Sequence, residues 1–143
     1  MAIKLYLILL PIFLAIDAVW IGVVMKAFYN AELGELAKRG ADGGLSPRWI
    51  PAVLVYALIP LGIVAFVRPA MGAEATVGQA AGWGALFGLI VYGVYDLTNR
   101  ATIEKFSLRM TLVDLAWGAT VCALSAVIVR VAERWMTTRL PVE

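Results

Sequence analysis

Four apolar stretches, at approximately 5–25, 49–67, 76–97 and 110–131, take up most of this chain. Each is close to the roughly 20 residues that a helix needs to cross a bilayer. Inside hydrocarbon every backbone N–H and C=O must find a partner within the protein, and a helix satisfies them within the segment itself. The chain is 62% hydrophobic and 15% charged, with a mean hydropathy of +0.87. Ordinary soluble domains are about 45–50% apolar and about 25% charged. The expected fold is therefore an all-α integral membrane protein, a four-transmembrane-helix bundle forming one domain over 1–143. Lys4 ahead of an apolar run resembles the start of a signal peptide. However, the run is longer than the usual 7–15-residue apolar core, and Ala15-Ile16-Asp17 makes a poor cleavage site.

Between the first two spans, the stretch FYNAELGELAKRG places Phe28, Leu33, Leu36 and Ala37 on one side. That pattern predicts a short interfacial helix, ended by Gly40 and the Asp-Gly-Gly turn. Ser46-Pro47 reads as N-cap and first helical residue of the second span. Pro60 with Gly62 predicts a kink near its middle, and Arg68-Pro69 its end. In the third span Gly78/Gly82 and Gly84/Gly88 have the spacing that lets helix backbones approach closely, which makes this span central.

Composition excludes several chemistries. With one cysteine, Cys122, there is no intramolecular disulfide, and with no histidine there is no His-ligated haem, no common zinc constellation and no His-based triad. No metal site is expected and no cofactor is indicated. The net charge of +2, spread along the chain, argues against nucleic acid. The expected partners are membrane lipid, other membrane subunits or a second copy of the chain.

Three aspartates, Asp17, Asp96 and Asp114, interrupt the apolar runs. An acid at membrane depth costs about 2.5–3.5 kcal/mol on insertion scales, so it turns to a protein interior or a polar cavity. In an alternating bundle all three fall on the side of the 1–2 and 3–4 connections. At 1.5 Å per residue, Asp96 lies about 6 Å from Arg100, Asp114 about 7.5 Å from Arg109 and Asp17 about 13 Å from Lys26. Asp17-x-x-Trp20 and Asp114-x-x-Trp117 repeat one pattern, each with a glycine nearby (Gly22, Gly118). The i,i+3 spacing keeps each tryptophan beside its own carboxylate, where the indole N–H can donate. Tyr92, Asp96 and Asn99 share a face in the third span. The candidate ligand-binding or proton-handling residues are thus Asp17, Trp20, Tyr92, Asp96, Asn99, Asp114 and Trp117. Arg48, Arg100, Lys105 and Arg109 lie on the same side to balance the acids, unless an acid takes up a proton. The plainer reading has Asp96 and Asp114 capping helix ends and pairing with Arg100 or Arg109.

Basic residues set the expected orientation. Lys26, Lys38, Arg39, Arg48, Arg100, Lys105 and Arg109 flank the aspartate side, against Lys4, Arg68, Arg130, Arg134 and Arg139 opposite. The positive-inside rule then places the aspartates toward the cytoplasm.

The segment Tyr92-Gly93-Val94-Tyr95-Asp96-Leu97-Thr98-Asn99, with Ala101-Thr102 and Val113-Asp114-Leu115-Ala116-Trp117-Gly118, resembles a bacterial family of small predicted membrane proteins catalogued as a domain of unknown function. Asp17-x-x-Trp20, Phe28-Tyr29, Leu33-Gly34 and Pro69-Ala70 resemble it too; Phe106-Ser107 stands where members often carry Trp-Pro. The resemblance implies a four-helix protein of the bacterial inner membrane and no established activity. The leading functional expectation is an Asp/aromatic site that binds or transports a cation, a proton or an amphiphile. The alternatives are an accessory subunit of a larger membrane complex and, last, an envelope-lipid-modifying enzyme.

Overall fold

The four apolar runs are four helices in the computed structural model, which describes residues 1–139; residues 140–143 of the expected domain lie outside the described residues. They are α1 (Ala2–Val24), α3 (Trp49–Met71), α4 (Val77–Thr102) and α5 (Leu108–Arg139), with the short α2 (Lys26–Leu33) between the first two. All four are long and apolar enough to cross a membrane. At 1.5 Å per residue, α5 spans about 48 Å and outruns a hydrocarbon core of about 30 Å. Its far end accordingly carries polar residues: Arg130 Nε and Arg134 Nη2 donate to the Ala75 carbonyl at 2.8 and 3.0 Å, and Glu133 pairs with Arg68. Those contacts tie the α3–α4 connection down. The buried core runs along the inner faces of α1, α3 and α5, through Leu5, Leu9, Phe13, Ile63, Val121 and Val129.

Several helix ends differ from expectation. α3 starts at Trp49 with Arg48 as N-cap and no side-chain cap, so Ser46-Pro47 stays outside the helix. Pro60 sits within α3, and the disturbance falls just after Gly62 as a π-helical turn over Ile63–Val67. That wider turn lets the helix run on through Arg68-Pro69 to Met71, rather than ending there. α2 ends before Gly34, whose φ of 44° is easy only for glycine, and a 3₁₀ turn follows to Leu36; the break comes earlier than Gly40. α4 begins with a capping box in which Thr76 and Gln79 satisfy each other's backbone N–H groups at 2.8 and 3.2 Å.

Only half of the small-residue pattern is used for packing. A Cβ on Gly84 would meet the Cys122 carbonyl and Ala123, and one on Gly88 would meet the backbone of Gly118 and Ala119. Gly82 has open space around it and Gly78 faces only Thr76. Gly84 and Gly88 thus seat α4 directly on α5.

Candidate functional site

The sequence pattern led to the expectation that each tryptophan would serve the acid three residues before it. The structure crosses the pairs instead. Trp117 Nε1 on α5 donates to Asp17 Oδ1 on α1 at 2.8 Å. Trp20 Nε1 on α1 donates at 3.2 Å to the Tyr29 hydroxyl, which in turn donates to Asp114 Oδ1 on α5. Between them the two indoles stack, with centroids 4.1 Å apart and planes 3° from parallel. The reason lies in the helix register. Antiparallel α1 and α5 bring Asp17 opposite Trp117 and Trp20 opposite Asp114. The stack, worth about 0.5–1.5 kcal/mol beyond area burial, turns each N–H across the interface.

α2 completes this arrangement. A π-helical turn over Trp20–Val24 closes with Met25 N–H on the Trp20 carbonyl at 2.7 Å, and the chain then folds back so that α2 lies against the end of the bundle. Tyr29 is its buried residue and packs with Phe106 and Met110, flanked by Phe28 and Leu33. Burial, and then the bond it donates to Asp114, push the Tyr29 hydroxyl well above the usual tyrosine range.

Asp96 is 0% exposed, and neither carboxylate oxygen has a hydrogen-bond donor. Its nearest acid is Asp114, across the close α4–α5 contact. The basic residues expected to balance the acids are engaged elsewhere. Arg100 donates to the Phe106 carbonyl at 2.8 Å, Lys105 pairs with Glu35 at 2.7 Å, and Arg109 lies over the Phe28 ring and 3.5 Å from Glu32. Among the described residues no salt bridge reaches Asp17, Asp96 or Asp114. The reading of Asp96 and Asp114 as acids paired to Arg100 or Arg109 therefore does not describe this geometry.

Asp17 has a second aspect. It is 3% exposed and forms one wall of a cleft of about 510 Å³ between α1, α3 and α4. Phe13, Tyr56, Tyr92 and Tyr95 supply aromatic walls, and the Tyr56 hydroxyl faces Asp17. Val55, Leu58 and Tyr95 at the rim are exposed on the outer surface of the bundle, so the cleft opens sideways, toward lipid. Tyr92 lies hard against Gly118, where any Cβ would strike its ring.

Of the seven candidate residues, Asp17, Trp20, Asp114 and Trp117 thus form one bonded cluster through Tyr29, Asp96 abuts it, and Tyr92 lines the cleft. Asn99 is half-buried and faces Tyr95; it donates to none of the three acids among the described residues. Tyr29 and Tyr56 were not among the candidate site residues, although Phe28-Tyr29 is one of the segments that carry the family resemblance. For Tyr29 the available signal was its place one turn into the segment after Lys26, which the apolar pattern assigned to Phe28 instead.

Four helices long and apolar enough to cross a membrane, joined by acids and indoles that pair across helix boundaries, define a multi-pass membrane protein. The chain belongs to the DUF2177 family of predicted membrane proteins, matched over residues 2–131, which bears out the resemblance to a family of unknown function. No curated protein and no solved structure matches it.

Proposed function

We propose that the protein binds amphiphilic cations within the membrane, with the charged head against Asp17 and the apolar body in the cleft. The observation that carries this reading is a single carboxylate in the wall of an otherwise apolar, aromatic-lined cleft that opens laterally. Its volume lies within the roughly 300–1,000 Å³ of small-molecule sites. One Asp17 oxygen is held by Trp117 and, among the described residues, no basic side chain pairs with the group, so the site favours a positive ligand. Phe13 and the three tyrosines add ring faces, which attract organic cations, most strongly where water is excluded. Handing such a molecule across the membrane, in the plasma membrane of a bacterium, would be a use of the same site.

Equilibrium dialysis of tetraphenylphosphonium against the purified protein in nanodiscs tests this reading. Saturable binding is expected, weakened about 100-fold in Asp17→Asn, because removing one partner of a buried ion pair costs about 3 kcal/mol or more. Tetraphenylborate, of the same shape and opposite charge, should not compete. Equal binding by Asp17→Asn, or only unsaturable partitioning, overturns the reading and favours a cleft filled by a partner helix.

A further inference from the structure

We infer that Asp96 and Asp114 form a carboxylic acid–carboxylate pair that holds a single proton inside the membrane, with the proton on Asp96. The inference stands apart from whatever occupies the Asp17 cleft.

The direction of the hydrogen bonds locates the proton. An indole N–H can only donate, so the bond from Trp20 makes the Tyr29 oxygen an acceptor. The single hydroxyl hydrogen of Tyr29 must then go to Asp114, which accepts it at Oδ1. Asp114 is therefore already served by a donor, as a carboxylate should be. Asp96 is not: it is fully buried and both of its oxygens lack a donor. An ionised, donor-less carboxylate in that position would be an unpaired buried charge beside a second negative charge. One proton removes both problems. Placed on Asp96, it makes that acid a donor toward Asp114, and the pair carries one negative charge instead of two.

Contacts between the helices hold the two acids together. Gly84 and Gly88 seat α4 on Cys122 and Gly118 of α5, and further along the same antiparallel line Asp96 lies about one turn from Asp114, each side chain leaning toward its own helix N-terminus and so toward the other. The ionisable groups facing the pair are Tyr92 and Tyr95 on α4, Tyr29 on α2 and, on the Asp114 side, Asp17 on α1. None of them is a cation.

Infrared spectroscopy of protein carrying carbon-13 aspartate, in nanodiscs at neutral pH, tests the inference. A carboxylic-acid C=O band that moves with the label is expected, responding slowly to deuterium oxide. It should vanish in Asp96→Asn, shift in Asp114→Asn where the acceptor changes, and persist in Asp17→Asn. Should Asp96→Asn fail to fold, the other two variants decide: the band must survive the loss of Asp17 and shift with the loss of Asp114. Absence of an aspartic-acid band in the wild-type protein overturns the inference. So does a band that disappears in Asp17→Asn or stays unchanged in Asp96→Asn.

Discussion

Replacing Tyr29 with Phe would remove one hydroxyl and two hydrogen bonds, because that oxygen accepts from Trp20 and donates to Asp114. A bond to a charged acceptor contributes about 1.5–3 kcal/mol, so Tyr29→Phe should destabilise the bundle by that amount. Unfolding in detergent, followed by the fluorescence of the stacked indoles, would measure it. The same hydroxyl makes an alkaline prediction. Its folded pKa lies above the ordinary 10.0, first because of burial and then because of Asp114. Folding thus favours the protonated phenol. That contribution is whole below the ordinary value and is lost as pH rises through the raised one. Wild-type stability should therefore fall on the alkaline side of about pH 10, and Tyr29→Phe should fall less steeply over the same range. Parallel alkaline titrations of unfolding would check both slopes.

Between elements, the α4–α5 contact is the most demanding, since backbone meets backbone there. A methyl group at Gly88 would press on Gly118 and Ala119 atoms that cannot rotate aside. Gly88→Ala should cost about 1–3 kcal/mol by overpacking, whereas Gly82→Ala, with nothing within 4 Å, should leave the unfolding midpoint unchanged. Spacing alone made the Gly78/Gly82 and Gly84/Gly88 pairs equivalent in the sequence; only the facing surface of α5 tells them apart. The same limit explains the crossed tryptophans. Asp-x-x-Trp shows that an acid and an indole share a helix face, but the register against a second helix decides which acid receives which N–H. The four spans were legible because hydrophobic length is a local property. The convergence of Asp17 and Asp114 was legible from alternating helix directions and rise per residue. Tyr29 was not, because the apolar pattern of the surface helix pointed to Phe28 and Leu33, and a phenol reads as a surface group until its hydroxyl finds a partner.

At the scale of the whole molecule, the described residues hold four helices long enough to span, so the start of α1 and the end of α5 share one side of the membrane. The excess of basic side chains on the aspartate side leads us to propose that this side is cytoplasmic, with the 26–48 connection inside and the C-terminal end of α5 outside. Impermeant maleimide applied to intact cells should label Thr137→Cys and spare Ala41→Cys, both exposed positions; the reverse pattern would invert the orientation. The crossed pairing also bears on biogenesis. The donor for Asp17 lies 100 residues downstream, so at about 5–20 residues per second α1 waits roughly 5–20 s for its partner. During that interval the acid must be carried by its own helix. The fourteen Ile, Leu, Val and Phe residues of α1, each favouring insertion by about 0.3–0.6 kcal/mol, more than offset its cost of about 2.5–3.5 kcal/mol. The apolar side chains of the first span are thus what allow an incomplete chain to stay in the membrane until the last helix arrives to cover its acid.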